Sequence, residues 1–585
     1  MNQKKRVTLS IDGQKVVVDE NTTVMHAAEK IGIRIPRLCY HPKLSIEGAC
    51  RVCIVQIKGY NYFLTSCSAK VEEGMEVLTN SPEIRKARRD IIELILDNHP
   101  KDCQTCERDG NCELQNLAYS LGVRQRFFEG KRKRHKLEDS SVAVVRDAEK
   151  CILCARCIRV CKEVQGVYNL SQHYRGFNTI VCPFDESKMD DSVCIQCGQC
   201  INACPTAAFI EKRHTDDVWE ALNDPKKFVI VQTAPSIRAA IGEGFGYEPG
   251  TECTGKMVTA LKKLGFDLVF DTNFGADMTI VEESSELLKR LKKNENLPLI
   301  TSCSPGWINF MEKFYPELIP LASTCRSPMS MVSALTKTYF AKITNRDPKD
   351  IYMVAVMPCV AKKFEIFRPE HILDDNQITD AVITTRELNW MIQSYGIEFK
   401  MLSDSEFDDP LGQSTGGGDI FGTTGGVMEA ALRCAFEQVT KKKLKNVEFK
   451  EVRAVEGLRE CSIEIDGLTL NVAVANGITN AKTILDKVIT NKKQYHLIEI
   501  MACPGGCIGG GGQPYPPEGY EVLDSRLFEK RAQALYRIDK KKKYRVSCDN
   551  PSIKKLYEEF LIEPGSDMAK RILHTHYHAR FPRGI

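Results

Sequence analysis

Cysteine spacing is the first chemistry this sequence offers. Cys39, Cys50, Cys53 and Cys67 stand as C-x10-C-x2-C-x13-C, and His99, Cys103, Cys106 and Cys112 as H-x3-C-x2-C-x5-C. Two runs of the form C-x2-C-x2-C-x3-C follow, Cys151, Cys154, Cys157, Cys161 and then Cys194, Cys197, Cys200, Cys204. Short C-x2-C steps converge soft, deprotonated ligands on one point without a large fold around them. The first set is close to the plant-type spacing of a 2Fe-2S cluster, with a longer first gap. The second suits a 4Fe-4S centre with one imidazole ligand or a zinc site of three cysteines and a histidine, and its neighbours favour the cluster. His99 alone would read as a structural histidine; its register with three cysteines makes it a ligand. In paired runs the fourth cysteine serves the other cluster, so Cys151, Cys154, Cys157 and Cys204 are expected around one cubane. Cys194, Cys197, Cys200 and Cys161 are expected around its twin. Such an array moves electrons and names no substrate.

The elements that must position these ligands can be read from periodicity. Residues 1–80 alternate as short strands (VTLSI, QKVVV, CIVQI, YFLTS) around one helical run, TVMHAAEKIGI. IRKARRDIIELILDNHP is an amphipathic helix stopped by Pro100, which leaves His99 at the helix end. Residues 146–212 hold the internal repeat CILCARCIRVC and CIQCGQCINACP. After Asp216, strands alternate with helices (FVIVQTAPS, KMVTALKKLGFDLVFDT, LPLITSCSP, DIYMVAVMPC, DAVITTREL), which predicts α/β layers with parallel sheets. The last 45 residues predict one or two helices over that core, with HTHYHARFPRGI as a surface tail. The basic stretch Arg124 to Lys136 reads first as a solvated linker and second as a docking patch for an acidic redox partner.

Totals bound the answer only loosely. A chain of 585 residues implies several domains, and a net charge of +4 argues against nucleic acid. A disulfide framework for the 25 cysteines would need an export signal, and none is visible; no apolar run is long enough to span a membrane. A cytoplasmic location is therefore expected. Cys182, Cys253, Cys434, Cys461 and Cys548 lack partners at ligand spacing and are expected to pack as small hydrophobes.

Three motifs in the second half place cysteine beside proline or glycine, where backbone approaches a cofactor closely: TSCSPGW (301–307), MPCVAKK (357–363) and MACPGGC (501–507). With TAPS, FGADMTIVEE and FGTTGGVMEAALR they resemble the catalytic domain of the FeFe-hydrogenases, and the N-terminal array resembles that family's form with four accessory clusters. The resemblance implies an α+β multidomain protein. Its parts are a β-grasp 2Fe-2S ferredoxin domain (1–80), a 4Fe-4S domain with one histidine and three cysteine ligands (81–125) and a bacterial-type double 4Fe-4S ferredoxin domain (126–215). An α/β H-cluster catalytic domain (216–540) and a small-subunit-like helical segment (541–585) follow. Reversible H2 oxidation and proton reduction is the implied reaction. The implied cofactors are one 2Fe-2S cluster, three accessory 4Fe-4S clusters and an H-cluster, a cubane joined to a di-iron unit with CO, cyanide and a dithiolate carrying an amine base.

By the same resemblance Cys359, Cys503 and Cys507 hold the cubane, Cys507 bridging to the di-iron unit. Lys362, Ser236 and Pro235 hold the cyanides, and Met357, Met501 and Phe421 wall the di-iron centre. Cys303 takes the proton from the amine and passes it to Glu283, Ser323, Glu286 and Arg290. The family carries two adjacent cysteines where this chain has Cys303 followed by Ser304. Three outcomes stay open: Ser304 ligates by oxygen, Cys303 shifts to the iron, or another ligand is used. Met329 stands where many relatives carry glutamine near the di-iron site.

LCYHPKLSIEGACRVCIVQI and HPKDCQTCERDGNCELQ resemble the large iron-sulfur subunit of complex I or of NAD-reducing hydrogenases. That resemblance implies a flavin-bearing NAD(P)H subunit and a small 2Fe-2S subunit as partners, with ferredoxin, in an electron-bifurcating complex. GEGFGYEPG and IGGGGQP lack a strand-to-helix context for dinucleotides and are expected to be turns. The alternatives are a monomeric ferredoxin-dependent hydrogenase, an H2 sensor and an iron-sulfur assembly protein. Retained Cys303, Glu283 and Glu286 oppose a sensor, and the 2Fe-2S domain opposes an assembly factor.

Overall fold

A computed structural model describes residues 5–124, 130–444, 447–454 and 456–580. The N-terminal strands β1 (Arg6–Ile11) and β2 (Gln14–Asp19) form a hairpin, and helix α1 (Val24–Lys30) crosses the sheet. Strands β3 (Ile54–Ile57), β4 (Leu64–Thr65) and β5 (Glu76–Leu78) complete a mixed five-stranded sheet, order β2-β1-β5-β3-β4, with β1 and β5 parallel. Of these strands β5 alone carries no sequence signal, because three residues are too few to show a period. Cys39, Cys50 and Cys53 lie on the long connection between α1 and β3.

Helix α2 (Pro82–Asn98) starts on the Ser81 side-chain cap and ends at His99, as its periodicity predicts. Its buried Arg88 donates to the carbonyls of Val52 and Ile54, at 3.1 and 2.7 Å, and so fastens the helix to the 2Fe-2S ligand loop. Strands β6 (Val144–Arg146) and β7 (Phe209–Glu211) pair antiparallel and bracket the cysteine repeat. Residues 125–129 of the basic stretch lie outside the described residues. Of the rest, Arg132 and Arg134 pair with Glu149 at 3.6 and 3.4 Å, and Lys133 donates to the Thr179 carbonyl at 2.9 Å. Residues 130–136 thus lie against the repeat instead of forming a free linker.

The catalytic half is built on two sheets. In the first, β8 (Phe228–Thr233), β9 (Leu268–Asp271), β11 (Ile351–Met357) and β12 (Ala381–Thr384) are all parallel, in the order β9-β8-β11-β12. The second runs β10 (Leu299–Ile300), β15 (Leu497–Met501), β14 (Leu468–Asn476), β13 (Leu458–Ile465), and here β13 pairs antiparallel with β14. The expected parallel sheets therefore hold for the first and for the inner part of the second. Helix α3 (Thr254–Leu264) covers the first sheet; α4 (Asn273–Lys293) and α6 (Gly426–Thr440) pack beside the second, and α5 (Pro305–Phe314) begins at Ser304.

Helix α7 (Ser525–Lys541) and α8 (Asp567–Leu573) close the C-terminal part over this core. Helix α8 packs by Ala569, Ile572 and Leu573 into an apolar cluster, whereas α7 is also held by buried ion pairs. Arg433 of α6 donates to Asp539 of α7 at 3.0 Å by both terminal nitrogens and to Glu429 at 2.8 Å. Cys434 and Cys548, expected as separate packing residues, are joined as a disulfide with Cα atoms 5.6 Å apart. Cys182 and Cys253 are buried as expected. The expected surface tail instead runs along the core: Thr575 N–H donates to the Thr324 carbonyl and Arg580 N–H to the Glu312 carbonyl, at 2.7 and 2.8 Å. Residues 581–585 of that tail lie outside the described residues. No described helix is long and apolar enough to cross a membrane.

Removing one member of a buried ion pair strands the other. Asp539 and Glu429 keep Arg545 and Arg453 as partners, so Arg433→Met should cost about 2–3 kcal/mol of unfolding free energy in denaturant titrations, against near-neutral changes on substitution of exposed Lys554.

Candidate functional site

The cysteine repeats converge as their interlocked spacing predicts. Burial pushes the Cys157 thiol well up, and Cys154, Cys151 and Cys204 push it further, so Cys204 stands with the first run. Cys200, likewise raised by burial, faces Cys194 and Cys161. In the first domain the Cys39 and Cys50 thiols are neighbours, with Cys50 N–H donating to Cys39 Sγ at 3.5 Å, and those of Cys53 and Cys67 are neighbours too. Cys103 and Cys112 both face Cys106, and His99 is buried at the end of α2.

Backbone contacts join these groups in series. Buried Arg159 donates to the carbonyls of Cys39 and Cys154 at 2.6 and 3.1 Å, tying the 2Fe-2S loop to the first cubane loop. Glu113 N–H, next to Cys112, donates to the Pro205 carbonyl, next to Cys204, at 3.0 Å. Both N-terminal groups thus abut the Cys151–Cys204 set. The twin set reaches onward: Cys197 is raised by burial, then by Cys200 and by Cys503. Gly511 allows that approach, since a Cβ there would sit 2.4 Å from the Cys197 carbonyl oxygen.

Cys503 opens onto a cavity of about 70 Å³ whose wall is almost wholly apolar. Its lining includes Cys303, Ser304, Cys359, Cys503, Cys507 and Lys362, with Pro235, Met357, Phe421 and Met501 around them. Each ligand loop leaves the carboxyl end of a strand. Pro235 and Ser236 follow β8, Cys303 follows β10, Cys359 follows β11 and Cys503 follows β15. Such ends are where ligands bind α/β sheets. Cys303, Ser304 and Cys359 are only half-buried because they face this cavity. Burial raises the Cys503 thiol, and Cys359 and Cys507 raise it further, which brings three thiols to one point.

Lys362 is the cavity's cation. It donates to Glu365 at 2.6 Å and to the Cys303 carbonyl at 3.4 Å. Buried Ser236 accepts from Gln513 Nε2 at 3.2 Å, and the same amide donates to the Cys507 carbonyl. Ser304 accepts from Ala502 N–H at 3.2 Å, so its oxygen lies beside the Cys503 loop, whereas Cys303 faces Glu283 and Cys507. Met329 also lines the cavity.

Outward from Cys303 runs a line of acids on α4. Burial raises Glu283 to about 8; the Ser323 hydroxyl and Ser302 N–H facing it pull the other way, and Glu286 adds to the rise. Glu286 accepts from Arg290 at 2.6 Å, and Arg290 also donates to the Leu321 and Ala322 carbonyls. The two glutamates share a helix face three residues apart. All five expected relay residues are brought together.

The C-terminal domain of the iron only hydrogenase large subunit matches residues 227–511, and the iron hydrogenase small subunit matches 525–580. A 2Fe-2S iron-sulfur cluster binding domain matches 4–82, the NADH-ubiquinone oxidoreductase-G iron-sulfur binding region 88–126, and a 4Fe-4S dicluster domain 150–208. The NADP-reducing hydrogenase subunit HndD of Solidesulfovibrio fructosivorans is 46% identical over 98% of this chain and 99% of that one. The chain belongs to the FeFe-hydrogenase family. Iron hydrogenase 1 of Clostridium pasteurianum is 42% identical over 97% of the chain and 99% of its own length. The solved apo [FeFe]-hydrogenase HydA1 from Chlamydomonas reinhardtii is 41% identical with a TM-score of 0.56, over 63% of this chain and 99% of that one.

This hydrogenase is an oxidoreductase acting on H2, and its domains are those that hold an H-cluster, a 2Fe-2S cluster and 4Fe-4S clusters. The cavity fits the H-cluster. Its three convergent thiols are costly to ionise without metal, and coordination to iron supplies that stabilisation. Cys359, Cys503 and Cys507 could hold the cubane, and Lys362, the cavity's cation, would offset the charge of anionic ligands. The bound group supplies the iron site and nearby base at which H2 is split or formed. The chain's own residues line the cavity with methionine and phenylalanine and set a thiol, Cys303, beside a carboxyl, Glu283, that burial keeps protonated near neutral pH.

Two residues escape a reading of the sequence alone. Glu365 fixes Lys362, and its i,i+3 spacing in VMPCVAKKFE is the signal that could reveal it. Glu499 is fully buried on β15 and accepts from Gly425 and Met428 N–H, both at 2.7 Å. It holds the glycine turn after Phe421 against the Cys503 loop, and it is visible in sequence only as an acid inside an apolar strand. Gly425 itself is at φ +86°, with a hypothetical Cβ 2.1 Å from the Val452 carbonyl oxygen.

Glu283 binds its proton more tightly folded than unfolded, where it ionises near 4.5. Its contribution to stability is full below that value and declines as pH rises towards about 8. Glu283→Gln should therefore flatten the fall in denaturation midpoint across that window.

Proposed function

We propose that this hydrogenase is the catalytic subunit of an NAD(P)H- and ferredoxin-linked, electron-bifurcating complex. The reading rests on its similarity, over nearly its whole length, to a chain named as a subunit of an NADP-reducing hydrogenase. The match of residues 88–126 to an NADH-ubiquinone oxidoreductase-G region adds support, because that module is shared with a respiratory NADH enzyme. The partners are then a flavin and NAD(P)H-binding subunit and a small 2Fe-2S subunit, with ferredoxin as the second electron carrier. A second reading is a stand-alone ferredoxin-dependent enzyme, and similarity of comparable extent to Iron hydrogenase 1, whose name mentions no subunit, is compatible with it.

In this reading Cys39, Cys50, Cys53 and Cys67 carry the 2Fe-2S cluster, and His99, Cys103, Cys106 and Cys112 the first 4Fe-4S cluster. The two swapped quartets carry the other accessory cubanes. Electrons pass from either N-terminal cluster to the Cys151–Cys204 set, then through its twin to Cys503. Protons pass by Cys303, Glu283, Ser323, Glu286 and Arg290. The hydroxyl oxygen of Ser304 takes the fourth position on the H-cluster cubane. Two features favour this over a shifted Cys303: the hydrogen bond from Ala502 places the Ser304 oxygen beside the Cys503 loop, and Cys303 stays against Glu283.

Anaerobic purification from the native host should yield a complex with a flavin subunit, whose H2 formation needs both NAD(P)H and reduced ferredoxin. A lone chain fully active with ferredoxin alone would sink the bifurcating reading. Ser304→Cys should keep the cubane iron and alter its electron paramagnetic resonance spectrum; an unchanged spectrum means that the serine oxygen is not a ligand.

A further inference from the structure

The extended segment after α8 carries three histidines in HTHYH, and the site described above uses none of them. His574 is committed to packing: its Nδ1 lies 2.8 Å from Thr324 Oγ1 and its Nε2 3.1 Å from Glu282. In extended chain alternate side chains share a face. His576 and His578 accordingly project together, their rings edge to face with centroids 4.8 Å apart. The hydrogen bonds of Thr575 and Arg580 to the core, and of His578 N–H to Glu312 Oε1 at 3.1 Å, hold this segment in place.

Glu370 faces the two rings. It lies in the turn Pro369–His371, a short step after the helix that carries Lys362. Its side chain is only 6% exposed, yet Oε2 has no hydrogen-bond partner. His578 Nε2 is 3.3 Å from Oε1, and one donor atom from each of Glu370, His576 and His578 lies within 4.8 Å of the other two. The nearest cations, Arg368 and Arg580, stand 3.4 and 3.9 Å from Oε2. Both are engaged by Glu312, Arg368 through two bonds of 2.6 and 2.9 Å and Arg580 at 3.0 Å. Two guanidiniums and two carboxylates balance, so a cation entering between the imidazoles meets no net positive charge from these groups.

We propose that Glu370, His576 and His578 form a site for a divalent transition ion of the zinc class. Two imidazoles and a carboxylate, with water as fourth ligand, are a zinc donor set, and bonds of about 2.0–2.2 Å place donors about 3.4 Å apart. Rotation of the two exposed imidazoles closes the remaining gap. The ion joins the C-terminal segment to the segment following Cys359 and Lys362, clamping the small-subunit-like part onto the catalytic domain.

The test is equilibrium dialysis of the iron-loaded holoenzyme, cleared of loose metal by chelator, against zinc chloride, with zinc and iron quantified together. One saturable zinc per chain is expected with iron content unchanged. His576→Ala/His578→Ala should weaken binding by more than about 100-fold, beyond what loss of an outer partner costs, and Glu370→Gln should weaken it at least about tenfold. Hydrogen exchange of residues 567–580 should slow with zinc in the unaltered protein and not in the double variant. No saturable binding below about 1 mM, or equal binding by the double variant, overturns the site.

Discussion

Everything in the catalytic half depends on bringing three thiols and one ammonium group to a single dry cavity. Burial works against this, because it pushes Cys359, Cys503 and Cys507 towards their neutral forms; Cys359 adds to the rise at Cys503 and Cys507, and Lys362 offsets part of it at Cys359 and Cys507. Soft metal ligation reverses that penalty, so the folded site and its cluster are coupled. The loops must therefore be held by something other than the ligands themselves. Parallel strands do this by ending together, and β8, β10, β11 and β15 each deliver a ligand loop at a carboxyl end. Buried acids and amides then pin the loops: Glu365 on Lys362, Gln513 between Ser236 and Cys507, and Glu499 on the turn after Phe421.

The same demand for close approach explains the glycine run 509–512. A Cβ at Gly510 would sit 2.2 Å from the Pro358 carbonyl oxygen, and one at Gly511 2.4 Å from that of Cys197. The first contact brings the Cys359 loop against the Cys507 loop, and the second brings the last accessory cubane against the H-cluster cavity. Turns are what the sequence leads one to expect there, and these turns let the backbones touch. Arg159 does the corresponding work at the other end of the chain, where its guanidinium spans Cys39 and Cys154.

The proton line has a different physical basis. Its acids sit on one long helix, so spacing alone aligns Glu283 with Glu286, and burial then sets their unequal character. Glu283 is shut away beside Cys303 and stays protonated near neutral pH, while Glu286 is paired with Arg290 nearer the surface. A protonated carboxyl inside and an ion pair outside give the line a direction in space.

Local spacing is the part of this protein written openly in its residues. Ligands three residues apart on one turn need no fold to find each other, so the four sets are expected from spacing alone, and the fold stands Cys204 beside Cys157 and Cys161 beside Cys200. Strands and helices with clear periods are legible too, and three-residue β5 is not. The catalytic motifs are legible through their resemblance to a family, since Ser236, Cys303, Cys359 and Cys503 are far apart in the chain and no period links them. Folding in three dimensions settles that Ser304 turns to Ala502 while Cys303 turns to Glu283. Folding likewise joins Cys434 to Cys548 and lays His576 and His578 over Glu370. Those outcomes follow from which strand ends and helix faces meet, and pairing at long separation leaves no local mark in a sequence.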